Sequence, residues 1–139
     1  MALRFHQKRG TVVIVDFDQG FRTPEMVKKR LCVVVSVPID ARVGLCTVVP
    51  LSTTPPDPVM DYHYELEIPF RLPSRWGARR RWVKADMIYS VGFHRVDLLR
   101  LEKGRDGRRV YQTAPLSNVH MSRITDALLA GLGLPPLTR

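Results

Sequence analysis

The sequence predicts a mainly β protein, built as a small, strongly bent antiparallel sheet or barrel with one C-terminal helix packed on it. Three observations support this fold class: short β-branched runs follow one another, prolines recur between them, and helical spacing of apolar residues occurs only near the C-terminus. The 139 residues suit one domain with a modest core, so a single domain is predicted over residues 1–139.

Three strong strands are predicted in the first half of the chain, over residues 11–17, 31–37 and 45–51. The polar loop 18–29 joins the first two, and the second strand is apolar on both faces, which is typical of a central strand. Prolines close the third strand and the segment that follows it. They are expected to hold the hydroxyl cluster Ser52, Thr53 and Thr54 at the strand end.

Further strands are predicted over residues 61–68, 82–91 and 110–112. Residues 93–100 continue the sheet or begin a short turn of helix, and the Asp-Gly turn signal predicts a hairpin loop over 103–109. Ser117 is a good helix N-cap, and apolar residues at helical spacing extend this helix to a stop at Gly131 or Gly133.

The composition is that of a globular chain with a strong basic excess. Apolar residues make up 45%, and 22 Lys plus Arg against 13 Asp plus Glu give a net charge of +9. Such charge favours a polyanionic partner, nucleic acid first, with an acidic protein or a membrane surface as alternatives. Since no apolar run reaches transmembrane length and residues 1–10 lack a signal-peptide core, we expect a cytoplasmic protein without a membrane partner.

The two cysteines, Cys32 and Cys46, lie inside apolar strands and lack the spacing of a metal site or redox motif. They are predicted to be buried free thiols, and no metal or cofactor is expected. The four histidines are isolated in sequence, and His63 and His94 are the first to test as proton carriers.

The segment 71–82 interleaves five arginines with two tryptophans. Guanidinium groups bind phosphate and indoles stack on unpaired bases, so this composition suits single-stranded RNA or DNA. A charged hairpin tip with one tryptophan covering the core is the structural alternative. Together with two cations before the second strand, the predicted RNA-binding residues are Lys28, Lys29, Arg75, Trp76, Arg79, Arg80 and Arg81.

The candidate active site combines the ends of two neighbouring strands. Arg30 directly precedes the apolar run of the second strand, and Ser52 to Thr54 follow the third. If these strands lie side by side, the guanidinium and the hydroxyls share one surface.

Three segments resemble the PemK/MazF family of type II toxin–antitoxin endoribonucleases: residues 10–17, 24–36 and 48–53. The likeness continues through Lys84-Ala85-Asp86-Met87 and the C-terminal helix, and so covers nearly the whole chain. It departs from the family pattern at Leu31, where Pro is usual, and at Ser52, where Thr is usual.

The resemblance implies an SH3-like barrel that forms a homodimer, binds a cognate antitoxin and cleaves single-stranded RNA without a metal. It implies a catalytic pair of Arg30 and Ser52, with Thr53 as the near neighbour, for attack of a ribose 2′-OH on the adjacent phosphate. Two alternatives stay open: a nucleic-acid-binding barrel without catalysis, and a toxin like those of the CcdB family that acts on a protein such as DNA gyrase.

Overall fold

The computed structural model describes residues 2–101 and 106–137. Within these ranges there are seven strands, one α-helix and two single-turn 3-10 helices, at Ser74–Trp76 and Phe93–Arg95. The longer elements are β1 Val12–Asp16, β2 Lys29–Val34, β3 Leu45–Ser52, β4 His63–Glu67, β5 Arg80–Lys84, β6 Tyr89–Gly92, β7 Val96–Leu98 and α1 Asn118–Gly131. The predicted mainly β fold with a C-terminal helix is confirmed. None of the described helices is long and apolar enough to cross a membrane.

The strands form one antiparallel sheet in the order β4-β5-β3-β2-β1-β7, with β6 paired to β3. Strand β3 is the centre of this sheet: its first half pairs with β6, its last two residues pair with β5, and β2 pairs with its middle. Within the described ranges β4 and β7 do not pair with each other, so the sheet is an open form of the predicted barrel.

Both faces of β2 are covered, as its apolar sequence predicts. Leu31 and Val33 pack in a core cluster with α1 residues such as Ile124, whereas Cys32 and Val34 pack in a second cluster on the opposite face. The alternation of side chains along a strand assigns each residue of β2 to one of the two clusters. The same alternation orients the residues at the strand ends.

The predicted limits of the helix are confirmed. The Ser117 hydroxyl accepts a hydrogen bond of 3.2 Å from the backbone N–H of His120, which caps the first turn. At the other end Gly133 has φ +76, and the N–H of Leu134 donates to the carbonyl of Leu129 at 2.8 Å. This bond pattern with a left-handed glycine is a Schellman stop.

Two predicted strands differ from the structure. The predicted strand 82–91 is divided into β5 and β6 by a turn in which Met87 N–H donates to the carbonyl of Lys84 at 3.1 Å. The predicted return strand 110–112 is reduced to a bridge between Arg100 and Tyr111, and residues 103–105 of its hairpin loop lie outside the described residues. Residues 93–100 contain both a helical turn and β7.

Candidate active site

Arg30 is the second residue of β2 and its side chain is exposed. Its Nε donates a 2.9 Å hydrogen bond to the carbonyl of Val27, which fixes the start of the side chain and leaves the terminal nitrogens of the guanidinium toward solvent. Lys28, two residues before Arg30, has φ 70, in the left-handed region that favours glycine. Such a backbone conformation is strained for lysine, and strained residues of this kind cluster at functional sites.

Ser52 is the last residue of β3 and is half-buried. Its Oγ accepts a 3.1 Å hydrogen bond from the backbone N–H of Thr54, which closes a small turn at the strand end. The Ser52 hydroxyl also donates a long bond of 3.5 Å to the carbonyl of Thr54, which a stronger acceptor such as a phosphate oxygen can replace.

The pairing of β2 with β3 puts Arg30 and Ser52 on the same face of the sheet. Cys32 lies opposite Pro50 in the antiparallel pair of β2 and β3. The paired stretch ends at these two residues, and Arg30 and Ser52 each lie two residues beyond it, on the faces of Cys32 and Pro50 respectively. Because opposed residues of an antiparallel pair project to the same face, the two side chains share one face of the sheet.

The other predicted residues near this point are placed differently. Thr53 is exposed and lies beyond the end of β3, so the strand register does not orient it. Lys29 is opposite Asp16 and, by alternation along β2, faces away from Arg30. Ser52 is thus the hydroxyl that the sheet aligns with Arg30.

A row of paired residues runs from Ser52 across two further strands. Ser52 pairs with Trp82 on β5, and Trp82 pairs with Glu65 on β4. Along β5, Arg81 and Val83 are buried, so Trp82 belongs to the outward face together with Arg80 and Lys84. Trp82 and Lys84 were not among the predicted RNA-binding residues. The sequence Arg81-Trp82-Val83-Lys84 does not alternate between apolar and polar residues, so this face is identified by the burial pattern of β5 and not by a sequence signal.

Arg81 is buried, and its guanidinium binds backbone carbonyls of the protein. It is only 5% exposed, and its guanidinium donates to the carbonyls of Ala78 at 2.8 Å, Leu51 at 3.2 Å and Trp76. Burial lowers the pKa of this guanidinium. With its donors directed at backbone carbonyls, Arg81 fits a role in joining the 71–82 segment to β3. This position argues against the predicted RNA contact of Arg81.

Trp76 also packs against the protein. Its ring contacts the core cluster that holds α1, and the guanidinium of Arg75 lies 5.0 Å from the ring centroid on the exposed side. The indole nitrogen is buried without a hydrogen-bond partner among the described residues. The sequence alternative of a tryptophan covering the core therefore describes Trp76, while Arg75 remains exposed to solvent.

The two remaining predicted arginines form ion pairs with β4. Arg80 lies 3.0 Å from the carboxylate of Glu65, and Arg79 lies 3.5 Å from that of Glu67. All four side chains are substantially exposed. Exposed pairs of this kind are weak, so a phosphate can compete with the carboxylates for the arginines.

The loop that leads into Arg30 is anchored to β6. The hydroxyl of Tyr89 accepts a 2.8 Å hydrogen bond from the backbone N–H of Met26. The Tyr89 ring also lies 5.1 Å from Phe17 and 5.8 Å from Phe21, measured between centroids. Arg95 adds a bond of 2.8 Å to the carbonyl of Gln19. Residues 17–28 are thus fixed to the sheet beneath them.

The predicted proton carriers lie away from this pair. His63 is on β4, two strands from β3, and its Nδ1 accepts from the backbone N–H of Met60 at 2.9 Å. His94 is exposed in the 3-10 helix Phe93–Arg95. In the part of the chain that the structure describes, no three metal-ligating side chains come together.

Both cysteines are buried free thiols, as predicted. Burial raises the pKa of the Cys46 thiol from 9.0 to about 11, and it raises the pKa of Cys32 still further. These thiols remain protonated at physiological pH and behave as small apolar groups of the core.

The pair of Arg30 and Ser52 has the chemistry of a phosphate site. A guanidinium forms strong, charge-assisted hydrogen bonds with phosphate oxygens, and a serine hydroxyl adds a neutral donor. Both groups are accessible on one sheet face, so a phosphodiester that lies across β2 and β3 can contact both.

Comparison with known proteins agrees with this architecture. Residues 8–130 match the family model described as PemK-like, MazF-like toxin of type II toxin-antitoxin system. An uncharacterised protein of Haemophilus influenzae is 33% identical over 103 residues, which are 66% of this chain and 70% of that protein. The Escherichia coli (strain K12) protein YifN is 29% identical over 122 residues, or 75% of this chain and 80% of that protein.

Solved structures share the fold at low sequence identity. An endoribonuclease from a mycobacterial species has a TM-score of 0.61 at 19% identity, covering 96% of this chain and 98% of that chain. A second structure, an endoribonuclease in complex with its cognate antitoxin from a mycobacterial species, has a TM-score of 0.57 at 21% identity over 94% and 98% of the two chains.

MazF from Deinococcus radiodurans has a TM-score of 0.59 at 20% identity, over 94% of this chain and 99% of that chain. These structures therefore share the overall fold of this chain. The family match covers most of the chain, from residue 8 to residue 130. The chain therefore belongs to the PemK-like, MazF-like toxin family of type II toxin–antitoxin systems.

Proposed function

We propose that this protein is a metal-independent, sequence-selective endoribonuclease toxin that cleaves single-stranded RNA. The observation that supports the proposal is the pairing of β2 with β3, which ends at Cys32 and Pro50 and leaves Arg30 and Ser52 two residues further along, on the same face of the sheet. Membership of the toxin family and the shared fold with two named endoribonucleases and a MazF support it. The net charge of +9 supports an RNA substrate.

In the proposed reaction, the 2′-oxygen of a ribose attacks the adjacent phosphorus and the bond from phosphorus to the 5′-oxygen breaks. The products are a 2′,3′-cyclic phosphate and a free 5′-OH. The 2′-OH proton passes to water at the exposed site, and the leaving 5′-oxygen takes up a proton from water. No metal or other cofactor enters these steps.

Arg30 is assigned to the negative charge that develops on the phosphorane. A guanidinium held at Nε by the Val27 carbonyl presents its terminal N–H groups without having to reorganise during the reaction. Ser52 is assigned a hydrogen bond to a non-bridging phosphate oxygen, because its Oγ accepts from the Thr54 N–H and its proton makes only a long bond of 3.5 Å to the Thr54 carbonyl. Thr53 is assigned a secondary contact beyond the strand end.

The RNA path is proposed to continue from this pair along the outward face of β5. Lys28, Arg75, Arg79 and Arg80 are exposed cations that can contact phosphates, and Lys29 offers charge from the opposite face of β2. A cognate antitoxin with an acidic segment would compete for the same cations. We also propose a homodimer that acts in the cytoplasm.

The proposal is tested with purified protein and a long, unstructured RNA in EDTA. The native chain is compared with Arg30→Ala and with the double variant Ser52→Ala plus Thr53→Ala. A matched control is Arg42→Ala, which removes an exposed arginine from the turn before β3. We expect discrete cuts by the native chain and the control, and loss of at least about 100-fold in rate for the other two variants.

The cut ends give a second, independent readout. The 2′-OH mechanism predicts 5′-OH ends that a polynucleotide kinase can phosphorylate directly, and it predicts no cleavage of a 2′-O-methyl RNA. Intact RNA that is nevertheless bound would support the non-catalytic barrel. Intact and unbound RNA, with inhibition of gyrase by the native chain, would support the toxin that acts on a protein.

A further inference from the structure

Trp82 is an accessible indole beside the proposed active site. It pairs with Ser52 on one side and with Glu65 on the other. Its ring is half-buried. Among the residues that the structure describes, it belongs to neither core cluster, although its strand neighbours Arg81 and Val83 are buried.

The second tryptophan shows what a structural indole looks like in this protein. Trp76 packs on the core, has its nitrogen buried, and is covered from outside by Arg75. Trp82 has none of these features. An aromatic ring that projects from a sheet with one face toward solvent is the arrangement that stacks on unpaired nucleobases.

Charged neighbours of Trp82 favour a nucleotide over an apolar ligand. Arg80 and Lys84 lie two positions before and after it, and so share its face of β5. Directly opposed residues of an antiparallel pair have Cβ atoms about 5 Å apart, which puts the indole one side chain away from the Ser52 hydroxyl. A phosphate at Arg30 and Ser52 therefore brings an adjoining base over Trp82.

We propose that Trp82 is the stacking platform for a base next to the scissile phosphate and sets preference at that position. The inference rests on the proposed function, because it takes the position of the phosphate from Arg30 and Ser52. Its substrate class is single-stranded RNA, and its role is to bind and position the nucleotide. Lys84 supplies charge for the phosphate on the far side of the stacked base.

The test measures binding and cleavage separately. Binding uses intrinsic fluorescence and a 2′-O-methyl RNA oligonucleotide of mixed sequence, which lacks the attacking hydroxyl. Trp76→Phe leaves Trp82 as the one indole, and Trp82→Leu leaves Trp76. We expect quenching by the oligonucleotide in the native chain and in Trp76→Phe, and little quenching in Trp82→Leu. The Kd of Trp82→Leu should rise at least about fivefold, the lower end of base–aromatic stacking.

Two further variants separate stacking from support of the fold. Trp82→Tyr keeps an aromatic face and should retain most of the affinity, while Lys84→Ala should weaken binding and reduce its salt dependence. Thermal unfolding of each variant reports on the fold. A Trp82→Leu protein that binds as tightly as the native chain, or a Trp82→Tyr protein as weak as Trp82→Leu, would overturn the proposal.

Cleavage of unmodified RNA then distinguishes the two hypotheses. We expect Trp82→Leu to raise KM and to change which base is preferred beside the cut. Cleavage by the native chain without quenching at Trp82 would overturn the stacking proposal and leave the endoribonuclease in place. Quenching at Trp82 without cleavage would support stacking and contradict the endoribonuclease. Neither quenching nor cleavage would overturn both.

Discussion

The carbonyl of Val27 orients the guanidinium of Arg30. Because Nε is bound at 2.9 Å, the guanidinium plane is fixed and only its terminal nitrogens reach outward. Arg30→Lys keeps the charge, but a lysine ammonium cannot both bind the Val27 carbonyl and present two parallel N–H donors to a phosphate. We expect kcat of RNA cleavage to fall about 100-fold, with Kd for a 2′-O-methyl RNA changed little.

The control is Lys29→Ala, which removes the adjacent cation from the other face of β2. It should weaken RNA binding while kcat is retained. If Arg30→Lys keeps native kcat, charge alone is sufficient at this position and the oriented donors that we propose are not required.

Arg81 holds three backbone carbonyls that come from two parts of the chain. Arg81→Leu would remove this donor from the carbonyls of Ala78, Leu51 and Trp76, of which Leu51 is a buried residue. We expect the free energy of unfolding to fall by about 3 kcal/mol, measured by denaturant unfolding.

Arg80→Leu is the matched control, since Arg80 is exposed and pairs only at the surface with Glu65. Its stability should change by at most about 1 kcal/mol. Equal destabilisation by the two variants would contradict the structural role of Arg81.

The thiol of Cys46 links stability to pH. In the unfolded chain it ionises near 9.0, and in the folded protein burial raises its pKa to about 11. The unfolded state therefore loses a proton first as pH rises, so the free energy of unfolding should decrease between about pH 9 and 11. Iodoacetamide should label neither cysteine at pH 8 until the protein is unfolded. Rapid labelling of the native protein would contradict the burial.

The loop 17–28 is an element whose order depends on Tyr89. This hydroxyl is the acceptor for the Met26 N–H, and the ring packs with Phe17 and Phe21. Tyr89→Phe keeps the ring and removes the acceptor. We expect faster hydrogen exchange at Met26, by about fivefold for a bond of about 1 kcal/mol, and a lower kcat because Val27 and Arg30 follow directly.

The KM for short RNA should change less than kcat, since no charged group is removed. Tyr111→Phe serves as the comparison, because this tyrosine is exposed at the other edge of the sheet. Unchanged exchange at Met26 in Tyr89→Phe would show that the aromatic contacts alone order the loop.

Sequence patterns predicted elements well where a local signal was strong. The apolar faces of β2 and the cap at Ser117 are local, and both are confirmed. The strand predicted over 82–91 is two strands in the structure. The first, β5, pairs with the end of β3, and the second, β6, pairs with the start of β3. The turn between them contains no proline or glycine that would mark it in the sequence. Pairing partners of this kind depend on distant segments.

The candidate site was predictable in part for the same reason. Arg30 and Ser52 lie at the ends of consecutive strands, and the predicted pairing of these strands is observed up to Cys32 and Pro50, two residues before each of them. For the arginine-rich segment 71–82, composition alone does not determine which side chains are exposed. Its alternation along β5 buries Arg81 and exposes Trp82, a distinction that counting cations and aromatics does not make.

At the scale of the whole molecule, the net charge of +9 contrasts with one strand, β4, that is locally acidic. Glu65 and Glu67 on β4 face Arg80 and Arg79 across the proposed RNA path. These carboxylates partly neutralise the face beside Trp82. They should limit how tightly polyanions bind there and make the affinity less sensitive to ionic strength, because Arg79 and Arg80 are partly engaged by carboxylates.

Glu65→Gln tests this balance, because it releases Arg80 without changing the size of the side chain. We expect tighter binding of single-stranded 2′-O-methyl RNA at low salt. The slope of log K against log salt concentration should become more negative by about 0.7, the value for one added phosphate contact on a single strand. Asp40→Asn changes the net charge equally, in the turn before β3, and should leave the slope nearly unaltered. The same slope change in both variants would mean that overall charge governs binding and that Arg80 makes no specific contact.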